Sequence, residues 1–320
     1  MDRILRNAHR TKTRARLLAV YAVLAALNAG AWIALIAAAQ RYPLLLALGV
    51  TAYVLGLRHA VDPDHIAAID STTRKLMHAG QRPVAVGLFF SLGHSTIVLA
   101  LSALVVLFGS AIKAHLPVLQ SAGSILGTTV SALFLFALAA ANVAVLIDVL
   151  RGSSNKEDEF NAAGGILARV LRPALGLVTQ SWHMYPLGML FGLGFDTATE
   201  IALLGISAAS AAGGMPIAYI MLLPCLFVAG MSLIDTSEGV AMLAAYGWAY
   251  VKPTGKKLYN VNMTLLSIII SLVIGGAEVL ALTGMSTNWI SFSTIGYGIM
   301  GVFALNLGAS ALVYRFRSNS

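Results

Sequence analysis

Charge is what this chain has least of. Only 11% of its 320 residues are Asp, Glu, Lys or Arg, and 58% are hydrophobic. A soluble domain carries about 25% charged residues, so a fold bathed in water on every side is excluded. Cysteine is almost absent. Cys225 stands alone, which rules out a disulfide within the chain and a thiolate metal cluster, and it reads as a small apolar core residue. No GxxxxGK[ST] string occurs, so there is no recognisable ATP site, and transport would have to use a gradient or a partner ATPase. No HExxH string occurs, which excludes an intramembrane zinc protease. No soluble domain is visible either. The longest polar segment, residues 151–173, reads as a solvated loop dividing four helices from four.

What the chain does have is apolar runs. Runs of about 20 apolar residues mark membrane-spanning helices. Eight are predicted, at residues 17–39, 43–66, 84–111, 122–147, 184–207, 217–247, 260–284 and 290–313. The first follows a basic tail, residues 1–16, but is longer than the 7–15 residues or so of a signal-peptide core. It therefore counts as a span. Lys and Arg concentrate on one side of a membrane. Here 18 of the 21 fall in the N-terminal tail, in the loops after even-numbered spans and at the C-terminal end; Arg41, Lys113 and Arg58 are the exceptions. The expectation is an all-α, polytopic bundle forming a single integral-membrane domain over residues 1–320, with both termini in the cytoplasm. The net charge of +8 is thereby explained by topology and lends no support to nucleic-acid binding.

The polar residues inside these runs demand a reason. A charge at the centre of a membrane helix costs at least ~2.5–3.5 kcal/mol. The second run contains RHAVDPDHIAAID, with His59, Asp62, Asp64 and His65 inside seven residues. The third carries His94, the fifth Asp196 and Glu200, the sixth Asp235 and Glu238. Asp196 and Glu200, four apart, share one helix face. His59 and His65, six apart, lie about 240° apart around a regular helix. Pro63 between them removes a backbone hydrogen bond, so a bent or unwound segment is expected to turn both imidazoles into one cavity. Glu278, alone in its run, is left out of the candidate site. So are the methionines, which read as core filler.

Carboxylates outnumber Arg58, so the cavity would favour a cation. Imidazole nitrogen with carboxylate oxygen suits first-row transition metals. A faint internal echo is also present. GLFFSLGHST (87–96) and GMLFGLGFDT (188–197) agree at five of ten positions, and internal repeats are common in transporters.

At this point the residues resemble a known family, the nickel/cobalt transporters (NiCoT). Its second-helix HxxxxDH signature is matched by His59, Asp64 and His65. FSLGHST, LGFDTATE and GMSLIDTSEG follow in the family's order. The resemblance implies a single-chain permease of eight helices taking up Ni²⁺ or Co²⁺ across the cytoplasmic membrane, with the metal as cargo and no cofactor. It implies that His59, Asp64 and His65 recognise metal, and that His94, Asp196, Glu200 and Asp235 line or support the pathway; Asp62 joins the candidate metal site from its place in the second-run cluster. Pro63 stands where the family usually has Ala, and Glu238 where Asp is expected. Three alternatives compete, and one of them, a membrane subunit without its own substrate specificity, is disfavoured by the intact cluster in the second run. A divalent-metal exporter is disfavoured because the loops hold few histidines. An HxxxxD acyltransferase is disfavoured because that chemistry needs a cytoplasmic domain around the pair.

Overall fold

A computed structural model describes residues 2–112, 116–151, 178–194, 197–249, 256–283, 294–299, 301–302 and 305. It contains ten α-helices among these residues and no strand. They are α1 (Asp2–Ala39), α2 (Leu44–His59), α3 (Pro63–His78), α4 (Val86–Ile112), α5 (Leu116–Arg151), α6 (Met184–Gly192), α7 (Ala198–Ala212), α8 (Ile217–Ile220), α9 (Leu222–Ala249) and α10 (Lys256–Leu282). Residues 294–299 are helical as well.

Among the described residues, five stretches are long and apolar enough to cross a membrane: Thr13–Ala39, Val86–Phe108, Ser121–Val143, Ile217–Ala244 and Thr264–Leu282. A sixth crossing arises if α2 and α3 form one span, bent by 53° at their junction. The run expected as one helix at 184–207 differs. It is divided into α6 and α7, with Leu193 to Thr197 between them, so neither piece spans alone. Of the run expected at 290–313, only the described residues above can be placed. The expected loop at 151–173 lies outside the described residues except for Arg151, which ends α5.

Both breaks have local causes. At the first, Pro63 occupies position N1 of α3, where its missing N–H costs nothing. A proline also pushes the residue before it out of the helical region. Asp62 accordingly takes φ −65° and ψ 140° and caps α3. The end of α2 tightens into shorter turns, with the Val61 and Asp62 N–H groups donating to the Arg58 and His59 carbonyls at 3.1 and 2.9 Å. At the second break, Thr197 is the N-cap of α7 and its hydroxyl accepts from the Glu200 N–H.

The hub of the bundle is α9, which packs against α1, α2, α3 and α4. Its Phe227 and Met231 are fully buried. Gly56 lets α2 lie directly on α9, since a Cβ there would stand 2.0 Å from the Phe227 carbonyl oxygen. The two echoing segments meet in the same way. Gly188 of α6 rests on the backbone around Phe90 and His94 of α4, and Gly192, one turn on, rests beside His94 and Ile97. The two helices therefore run parallel. α5 and α10 run antiparallel, with Ser131 beside Glu278 and Phe136 beside Gly275.

Candidate metal centre

The first break delivers the histidines to one place. His59 is the last residue of α2 and His65 sits in the first turn of α3, so the 53° bend replaces the 240° divergence of a straight helix. α4 adds His94. The three imidazole rings form a near-equilateral triangle, with centroids 4.7 Å (His59–His65), 4.9 Å (His59–His94) and 4.9 Å (His65–His94) apart. One ring nitrogen from each lies within 4.8 Å of the others. All three residues are at most 3% exposed.

Carboxylates aim these rings. The Nδ1–H of His59 donates to Asp62 Oδ2 at 2.9 Å, with Thr199 Oγ1 at 3.1 Å and Thr197 Oγ1 at 3.5 Å beside it. The Nδ1–H of His65 donates to Asp235 Oδ1 at 3.2 Å. Because a carboxylate only accepts, each bond fixes the proton on Nδ1 and leaves the Nε2 lone pair for another partner. For His65 that nitrogen is buried, and among the described residues no hydrogen-bond partner reaches it. A buried polar atom left in this way costs about 1–3 kcal/mol, which is unexplained by packing and natural for a ligand atom.

Glu200 completes the set. Its Oε2 accepts from the Thr197 hydroxyl at 2.9 Å. Its Oε1 lies 3.0 Å from His94 Nε2 and 3.7 Å from His59 Nε2, and those two nitrogens are 3.0 Å apart. Thr197 and Glu200 have the T-x-x-E spacing of a capping box, but the carboxylate is drawn to the Thr197 hydroxyl and the imidazoles. Two ligand atoms at about 2.1 Å from one metal and 90° apart are about 3.0 Å from each other. His94 Nε2 stands at that spacing from both Glu200 Oε1 and His59 Nε2, which are 3.7 Å from each other.

A cavity of about 330 Å³ opens onto this group. Its lining includes His59, Asp62, His94 and Glu200, together with Arg58, Asp64 and Glu278. The α2 C-terminus and the α3 and α7 N-termini meet here. Asp64 and Glu200 sit in the first turns of α3 and α7, where carboxylates offset the positive helix ends.

The expected residues thus divide. His59, His65, His94 and Glu200 converge, whereas Asp62 and Asp235 grip the outer nitrogens of two histidines. Asp64, the third member of HxxxxDH, is half-buried on the cavity wall. Asp196 lies outside the described residues. Sequence reasoning passed over Thr197, Thr199 and Glu278. The two threonines lie inside the LGFDTATE string, and Glu278 carried the signal of a charge in an apolar helix.

Comparison with known proteins agrees with the resemblance. The model of the family described as high-affinity nickel-transport protein (NicO) matches residues 45–316. A high-affinity nickel transport protein of Cupriavidus necator is 46% identical, covering 96% of this chain and 93% of the relative. The nickel transporter NicT of Mycobacterium tuberculosis is 40% identical over 94% of this chain and 89% of its own. The cobalt transport protein NhlF of Rhodococcus rhodochrous is 41% identical over 78% and 74%. No solved structure matches. With the family match covering most of its length, this multi-helix membrane chain belongs to the high-affinity nickel-transport family.

Proposed function

We propose that the chain takes up Ni²⁺ and/or Co²⁺ across the cytoplasmic membrane as a secondary permease that needs no ATP. The observation that carries this reading is the group of three buried imidazoles beside Glu200, of which His59, His94 and Glu200 line a cavity that also carries Asp62, Asp64 and Glu278. In this reading His59, His65, His94 and Glu200 hold the ion, while Asp62 and Asp235 orient two of the rings. Asp64 lies on the approach, and Asp196 keeps a pathway role by resemblance. Broken spans with half-helix ends at the substrate are a recurring transporter design. The names of the family and of the relatives support transport over the acyltransferase alternative.

Eight spans with both termini in the cytoplasm would place the cavity mouth on the outer side. The start of α5 and the end of α10 line it there, through Thr128, Glu278 and Ala281. An entering doubly charged ion then gains ~4.6 kcal/mol per 100 mV of inside-negative potential. That corresponds to roughly 2,000-fold accumulation. The carboxylates offset the ion's lost hydration, but a site that bound too tightly would not release it.

The test is ⁶³Ni²⁺ and ⁵⁷Co²⁺ uptake into proteoliposomes under an imposed potassium diffusion potential, without nucleotide or pH gradient. Uptake should rise with inside-negative potential. No response would remove the electrogenic reading, and net metal loss from preloaded cells expressing the chain would favour the exporter.

A further inference from the structure

Arg58 is the one Lys or Arg in the described lining of the cavity. It sits in the last turn of α2, directly before His59, and is half-buried. It forms no ion pair and no side-chain hydrogen bond with any described residue, and its charge reaches Asp62 only through space. Holding a carboxylate in place is therefore not its task. Nor is capping α2 by hydrogen bonds. The Gly56, Arg58 and His59 carbonyls accept from the Ala60, Val61 and Asp62 N–H groups at 3.2, 3.1 and 2.9 Å, so the backbone itself takes them up. A cation is favourable at a helix C-terminus. Beside a ligand set for another cation it is unfavourable, since like charges repel and the guanidinium stays charged at any working pH. That ligand set is strong. Three imidazoles and Glu200 stand together, and nitrogen donors of this kind bind late first-row ions well. A transported ion must leave as well as enter.

We infer that Arg58 is a fixed counter-charge that weakens the site's hold on the divalent cation and so speeds its departure. This role rests on the transport reading above. A unit charge about 10 Å from a doubly charged ion changes affinity about 4- to 20-fold at an effective dielectric of about 40–80. The ligands alone would then bind more tightly than the intact site does. Arg58 touches no ligand among the described residues, so its effect should follow its charge rather than its shape.

The experiment measures equilibrium ⁶³Ni²⁺ binding in detergent, and release of bound ⁶³Ni²⁺ into excess unlabelled nickel, for wild type, Arg58→Gln, Arg58→Met and Arg58→Lys. Both neutral variants should bind nickel about 4- to 20-fold more tightly and release it more slowly by a similar factor. Arg58→Lys, which keeps the charge, should stay within about threefold of wild type in both measurements. The sign separates charge from damage, because a misfolded site binds less tightly, and two neutral replacements keep one misfolded variant from ending the test. Unchanged or weaker binding in both neutral variants overturns the proposal and leaves Arg58 a structural part. Tighter binding with release as fast as wild type also overturns it, since Arg58 would then oppose entry alone. So does an Arg58→Lys that matches the neutral variants. Wild-type protein that binds nickel without carrying it into proteoliposomes would instead refute the transport reading, while the binding and release series would still decide the role of Arg58.

Discussion

One helix, α3, carries two buried polar groupings that behave differently. Near its start, Asp62 and His65 join His59, His94 and Asp235, and Asp64 faces the cavity. Two to three turns on, Asp70, Ser71 and Arg74 face α10. Ser267 Oγ donates to Asp70 Oδ2 at 2.7 Å, and Arg74 donates to Thr264 Oγ1 at 2.9 Å and to Ser267 Oγ. Ser71 and Ser271 hydroxyls lie 3.4 Å apart. Asp70 and Arg74 are as buried as the histidines, each at 2% exposure. Burial therefore does not separate a binding site from a strut. The difference is complementarity. In the second grouping, Arg74 donates to the Thr264 and Ser267 hydroxyls and Ser267 donates to the Asp70 carboxylate, so donors meet acceptors across two helices. In the first, ring nitrogens of three histidines converge on one another, with His59 Nε2 and His94 Nε2 3.0 Å apart.

If that contrast is right, the largest effect should come from the converging nitrogens. His65→Ala and His94→Ala should abolish nickel uptake while the protein still reaches the membrane, as judged by immunoblot of washed membranes. Full uptake by correctly inserted His65→Ala would break the comparison at its centre. Asp235→Asn keeps the size of the group that holds His65 but weakens the acceptor. Groups that orient a ligand histidine are worth 10–100-fold in metal affinity. A loss of about that size is expected, read by equilibrium ⁶³Ni²⁺ binding in detergent.

The string HAVDPDH made the first grouping legible before any coordinates. Its six-residue spacing and proline forecast a bend, and the fold contains one. The division of labour among its acids was not legible. Which carboxylate meets metal and which meets a ring nitrogen depends on helix azimuth and on partners over a hundred residues away, such as His94 with Glu200 or His65 with Asp235. The second break was missed because LGFDTATE contains no proline. Its signal was the T-x-x-E cap at Thr197 and Glu200, which was read as part of a continuous helix. By hydropathy Arg74 falls in a loop after the second run, yet it lies within α3, which is polar along much of its length. A helix that turns Asp70, Ser71 and Arg74 toward a serine- and threonine-bearing neighbour does not advertise itself by hydropathy.

Acidity should have a moderate effect with a definite sign. Protons compete with metal for imidazole lone pairs, and an unperturbed imidazole titrates near pH 6.5. Protonation below that value adds positive charge and removes ligands, so uptake should fall as external pH drops from about 7.5 to about 5.5. The loss should appear mainly in KM and be overcome by more nickel. A flat profile over this window would mean that protons do not reach the triad ahead of the ion.

The smallest effect on metal handling should come from the second grouping. Arg74→Met keeps the aliphatic stem of the side chain and removes its donors to Thr264 and Ser267. Hydrogen bonds to charged groups contribute about 1.5–3 kcal/mol each, and an acceptor left behind carries its own cost. The variant should unfold earlier in detergent on heating or in denaturant. Its nickel KM should nevertheless stay within about twofold of wild type, because Arg74 joins α3 to α10 and belongs to neither the ligand set nor the cavity wall. Ser267→Ala, which touches both Arg74 and Asp70, should destabilise in the same direction. The two changes together should cost less than their sum, since residues in one hydrogen-bond network couple by about 0.5–3 kcal/mol. A tenfold rise in KM for Arg74→Met at unchanged stability would erase the distinction. The α3–α10 contact would then have to be counted as part of the route the ion takes.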